Sequence, residues 1–148
     1  MALYTSKHWS TTEWDCYQRS ENEYAWDDEN GRLNTDNEDT ANLFKILDML
    51  REWNPHWVIN WSYSGYKSGY RTKEVNDIMG GVWNSNHIYG RAADIHESNT
   101  DARAEDLAAA IEAAAESWGL QDKIELGIYT NEGWCHIACQ DYRNIYYS

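Results

Sequence analysis

The chain has 148 residues and carries 25 Asp+Glu against 12 Lys+Arg, a formal charge of −13. That length suits one domain with its own core, and an apolar share of 42% is too high for a disordered chain. The acidity argues against nucleic acid as a partner, since phosphate contacts need a basic face, and against electrostatic attachment to anionic lipid or wall polymer. The charge is uneven. Residues 1–40 hold 10 acids and 3 bases, residues 101–148 hold 9 and 3, and residues 41–100 are balanced at 6 and 6. Nine Trp and eleven Tyr stand against a single Phe, Phe44. Trp and Tyr suit half-buried groove walls as well as cores.

No stretch approaches the roughly 20 apolar residues of a membrane span. The opening segment through Cys16 has neither a basic start nor an apolar run, so no signal peptide is expected and synthesis is expected in the cytoplasm. Cys16, Cys135 and Cys139 cannot all pair within one chain and form no CxxC, which points to a reducing compartment. A bridge from Cys16 to either of the others stays open. The chain is expected to act as a monomer.

Residues 1–40 are polar, aromatic and acidic and read as an irregular wrap, with a short helix near Thr11–Gln18. Leu43, Ile46, Leu47 and Leu50 then form one helical stripe, capped by Asp39 or Thr40 and stopped at Asn54-Pro55. Trp57 to Trp61 alternates as a strand. A short helix is expected over Thr72–Met79, ending at Gly80-Gly81, and a strand over Arg91–Ile95. Leu107, Ala110, Ile111, Ala114 and Trp118 define a helix over 101–118 that stops at Gly119. Lys123–Tyr129 and Trp134–Cys139 flank Thr130-Asn131-Glu132-Gly133 and predict a hairpin. The fold class is α+β, one domain over 1–148 with a small antiparallel sheet and flanking helices.

Chemistry concentrates in Ser68-Gly69-Tyr70-Arg71, Gly80-Gly81, Ser85-Asn86-His87-Ile88-Tyr89-Gly90-Arg91-Ala92-Ala93-Asp94, and the later Trp134-Cys135-His136. His87, Asp94 and His136 offer two imidazoles and one carboxylate. Three such ligands with an open position describe a catalytic zinc site, because structural zinc sites close with four. Spacing alone equally admits a surface His and a capping Asp.

The full pattern, SGYR…GG…S-x-H-x-x-G-x-A-x-D followed by W-x-H, resembles the M15 peptidase family of zinc D-Ala-D-Ala carboxypeptidases and phage endolysin peptidases that cut peptidoglycan stems. The likeness runs from about Asn60 to Ile137 and extends loosely to Ser6-Lys7-His8-Trp9 and Glu13-Trp14. It implies the hedgehog/D-Ala-D-Ala peptidase-like fold, zinc on His87, Asp94 and His136, and a substrate site lined by Arg71 and Ser85. An Arg suits both an oxyanion and a substrate carboxylate. The partner it implies is a peptidoglycan stem peptide, with no nucleic acid and no membrane.

The sequence departs from the family at the general base. Relatives often carry Glu three residues before the last His or a second His two before it; here those positions are Gly133 and Trp134. The nearest carboxylate is Glu132, which a one-residue bulge at the permissive Gly133 would swing inward; a solvated turn Glu is the other reading. Many relatives also have Asp two residues after the last His, where this chain has Ala138. His96 shares a strand face with Asp94 and reads as an ordinary exposed His, His8 as a packing residue, and His56 as a turn residue. Cys135, Ile137 and Cys139 are expected to face away from His136. Trp83, Tyr89 and Trp134 are either groove walls or core. The resulting expectation is a stem-peptide hydrolase, either carboxypeptidase or L-Ala-D-Glu endopeptidase, acting on the wall after release or within a virion. Its rivals are a silent zinc-binding recognition module and a structural virion domain.

Overall fold

The computed structural model describes residues 2–148. The N-terminal wrap is more ordered than its polar composition suggests. Strands β1 (Tyr4–Thr5), β2 (Trp26–Asp27) and β3 (Leu33–Thr35) form a small antiparallel sheet in the order β1-β3-β2. The expected helix near Thr11–Gln18 is a single turn, α1 (Thr11–Trp14), started by a capping box between Ser10 and Glu13. It stops early because the Cys16 amide bonds the Tyr70 carbonyl instead of continuing the helix.

The wrap is fastened to the central helix, α2 (Glu38–Trp53), through one buried carboxylate. Asp48 accepts from Tyr4 Oη, Ser6 Oγ, and the Lys7 and His8 amides, at 2.5 to 3.1 Å. Arg51 adds a second fastening: it lies 3.3 Å over the Trp9 ring and binds Glu13 at 2.8 Å. The Ser6…His8-Trp9…Glu13 pattern is thus a structural anchor, and His8 serves it through its backbone. The cap of α2 is Asn37, whose side chain accepts from the Thr40 amide; the expected caps Asp39 and Thr40 fall inside the first turn. There Asp39 favours the helix dipole.

Strand β4 (Trp57–Ile59), helix α3 (Lys73–Ile78, capped by Thr72), strand β5 (Ala92–Glu97) and helix α4 (Ala104–Ser117) follow where the patterns placed them. The hairpin is β6 (Ile124–Tyr129) and β7 (Trp134–Cys139). A last strand, β8 (Asn144–Tyr147), was not expected. It is short and half-exposed, and it pairs parallel to β6, so no local alternation or turn announces it. The main sheet is therefore mixed, in the order β4-β5-β7-β6-β8.

Alternation divides this sheet into two faces. Ala93, Ile95, Leu126, Ile128, Cys135, Ile137 and Cys139 are buried in one core cluster with Leu43, Leu47, Leu107 and Ile111 from α2 and α4. All three cysteines are buried and free, which answers the question of a bridge, and Cys135 and Cys139 pack in this core as expected. The opposite face is left without a helix and carries Asp94, His96, Glu125, His136 and Tyr146.

Candidate active site

Three side chains converge at the middle of the open face. The ligating atoms of His87, Asp94 and His136 all lie within 4.8 Å of one another, and each residue is buried. Asp94 and His136 come from directly paired positions of β5 and β7. His87 arrives from the loop before β5, where Gly90 turns the chain at φ +65, a conformation that L side chains rarely adopt. The gap of 42 residues between the Asp and the second His closes because antiparallel pairing sets them side by side.

Each ring has one nitrogen committed elsewhere. His87 Nδ1 is 2.7 Å from the Gly69 carbonyl, which makes it the donor and leaves Nε2 as the lone-pair atom, 3.3 Å from Asp94 Oδ1. His136 Nδ1 lies 3.0 Å from the same Asp94 oxygen, and its Nε2 is 2.7 Å from Glu125 Oε1. The second Asp94 oxygen accepts from Ser68 Oγ at 2.6 Å and from Arg71 at 3.3 Å. Two imidazole nitrogens and one carboxylate oxygen, all buried and all oriented from behind, fit a divalent transition metal.

The protonation pattern follows from these contacts. Burial pushes His87 below its usual value. Burial alone would lower His136 too, but its hydrogen bonds to Asp94 and Glu125 win and push it up to about 9. Burial would raise Asp94, yet His87 and His136 hold it well below the ordinary carboxylate range. The hydrogen bond from His136 likewise lowers Glu125. Without metal, the site is an imidazolium gripped by two carboxylates.

Glu125 is the site residue that sequence spacing missed. It stands on β6 directly opposite Ala138, the position where many relatives carry Asp. The small Ala138 side chain leaves that place to a carboxylate from the neighbouring strand. Asn86 Nδ2 donates to Glu125 Oε1 at 3.2 Å, which ties the His87 loop to His136. Ser68 was visible only as the first letter of SGYR; its hydroxyl joins Asp94 to Arg71. Next to Glu125, Gly127 lies opposite His136, and a Cβ there would stand 2.5 Å from the Tyr146 ring. A glycine lets Tyr146 lie flat across β6 and wall the site.

Arg71 is buried against Asp94, Ser68 and Asn76, and it borders the cavities on both sides of the triad. Ser85 is buried in the His87 loop, where its Oγ accepts from the His87 amide at 3.2 Å, and it lines the first cavity. Glu132 is exposed at the hairpin turn. The β6–β7 ladder runs unbroken to Tyr129 and Trp134, so the bulge that would turn Glu132 inward does not form. Its position is the rim of the second cavity, beside Gly133 and Trp134. His96 is only half-exposed, against expectation; its Nδ1 is 2.6 Å from Asn60 Oδ1 in that same cavity. Of the undecided aromatics, Trp83 is 83% exposed and so no part of the core, whereas Trp134 stacks on Tyr129 at 3.7 Å and forms a wall.

The mixed sheet has one helix-covered face, and its other face opens on a cleft lined by a buried His-Asp-His group that could hold a single metal ion. The chain belongs to the Peptidase M15 family, whose model matches residues 18–138. No curated protein and no solved structure matches the chain significantly. No helix among the described residues is long and apolar enough to cross a membrane.

Proposed function

We propose that the protein is a zinc-dependent peptidase that hydrolyses an amide bond in peptidoglycan stem peptides, of the type used in phage lysis. The observation that carries this reading is the buried His87-Asp94-His136 group within a peptidase family match. His87 Nε2, Asp94 Oδ1 and His136 Nδ1 would hold zinc. When bound there, zinc polarises the scissile carbonyl and lowers the pKa of its water to about 7.

The remaining work falls to the chain itself. Arg71 reaches both cavities beside Asp94, so its fixed positive charge lies where a substrate carbonyl develops negative charge. Asp94 and Ser68 hold the guanidinium in place. Ser85 shapes the first cavity and orients substrate. Glu132, on the rim of the second, is the carboxylate proposed to take the proton of the attacking water. The acid-rich flanks repel an anionic wall, so activity on intact cells should rise modestly with salt as the repulsion is screened.

The test is a digest of purified stem peptide followed by mass spectrometry. One new cleavage product, abolished by a chelator and restored by zinc, is expected. Stoichiometric zinc with no turnover would instead favour the silent recognition module. Replacing Glu132 by Ala should lower kcat by about 100-fold with KM little changed. A loss within 10-fold would remove that residue as the base.

A further inference from the structure

His87, Asp94 and His136 all line one cavity of about 650 Å³, and a second of about 750 Å³ adjoins it; both are open to solvent and share Arg71, Asp94 and Trp134 as walls. The first extends over β6 and β8 to Glu125 and Tyr146. The second extends over β5 to His96 and then past the end of β4 to Asn60, Trp61 and Tyr63. Together their walls run from Tyr146 on β8 to Asn60 just past β4, with Asp94 common to both.

We infer that this through-running cleft makes the protein an endopeptidase, which binds peptide on both sides of the scissile amide and cuts inside the chain. The inference rests on the peptidase reading above and decides between its two bond classes. A carboxypeptidase must meet a free carboxylate one residue from the bond it cuts, and a fixed cation is the usual partner. Among the described residues, the guanidiniums lining the cleft are already engaged. Arg71, assigned above to the reacting carbonyl, bonds Asn76, Ser68 and Asp94, and Arg91 bonds Asp39 and Asn86. The uncommitted charges in the two arms are acidic, Asp141 in one and Glu132 in the other. These acids disfavour a terminal carboxylate close to the centre, while an internal amide carries no charge to repel. The Lys67 ammonium lies away from the centre, 4.6 Å over the Trp61 ring. Aromatic surface supplies the grip instead: Trp61 is 54% exposed at the far end of the second arm, and Tyr63 beside it is fully exposed.

In the reaction, water adds its oxygen to the carbonyl carbon and the C–N bond breaks. One product leaves as an amine and the other as a carboxylate, with the water's protons passing to the amine and to solvent.

The experiment uses the zinc-loaded full chain and two forms of one stem pentapeptide, acetylated at its N-terminus. One form ends in an amide, the other in a free carboxylate. Internal cleavage of both, with kcat/KM values within about threefold, is expected. Removal of only the last residue, and only from the free acid, would overturn the inference and leave the peptidase reading intact. Cleavage of neither form would overturn both. Binding gives a readout independent of turnover. The amidated peptide should bind the metal-free protein about tenfold more weakly after Trp61→Ala, a surface change, as expected for loss of an aromatic anchor. Unchanged affinity would remove the second arm from the substrate site.

Discussion

The two faces of the five-stranded sheet are built from the same strands and differ in every consequence. On β7, Cys135, Ile137 and Cys139 face α2 and α4 in the core, while His136 between them faces the open cleft. On β5, Ala93 and Ile95 point one way and Asp94 and His96 the other. A step of one residue moves a side chain from a setting that supplies stability to one that supplies chemistry. The covered face buries apolar side chains and the Cys135 and Cys139 thiols. The open face concentrates buried charge and is held together by mutual hydrogen bonding of Asp94, Arg71, Ser68, Glu125 and the two His.

Neighbouring substitutions should separate the two faces. The largest effect expected is on activity: His136→Ala should lower kcat/KM by about 1000-fold or more, with the protein folded, as read by hydrolysis and circular dichroism. Ile137→Ala, one residue along, should do the reverse. It should cost about 2–5 kcal/mol in denaturant unfolding while the folded protein keeps its metal. If His136→Ala unfolds the chain, or Ile137→Ala removes metal from folded protein, the division between the faces is wrong.

Glu125→Ala should weaken zinc binding by about 10–100-fold in a chelator competition, because His136 loses the carboxylate that fixes its ring. Glu125→Gln keeps an acceptor and should recover part of that loss; equal loss in both variants would make the role purely electrostatic.

A smaller effect concerns pH. His136 is raised from 6.5 to about 9 in the folded metal-free protein. A raised imidazole contributes stability that is complete below pH 6.5 and fades as pH climbs through about 9. The metal-free protein should therefore lose thermal stability between those values, and His136→Gln should flatten the decline. A rise over that window would contradict the assignment of the proton to His136.

What the sequence revealed follows the same division. Periodicity found the helices and the hairpin because α2, α4, β6 and β7 each bury one regular face. The metal-competent residues were legible because their motif is local around His87 and Asp94 and ends in a W-x-H on a predicted strand. Glu125 was not, because its role depends on register: only the pairing that sets it opposite Ala138 brings it to His136. Strand β8 escaped for a related reason, since its partner β6 lies earlier in the chain and runs parallel. The wrap misled through composition. Its polar residues are spent on fastening, with Asp48 and Arg51 of α2 supplying partners from about 40 residues away.

The central claim is that the open face holds one catalytic metal on His87, Asp94 and His136. Elemental analysis of the wild-type protein and His87→Ala, purified side by side and equilibrated with micromolar zinc, addresses it most directly. One zinc per wild-type chain, and less than about a tenth of that in the variant, is the predicted result. Wild-type protein without stoichiometric zinc, or equal zinc in the two proteins, would contradict the account.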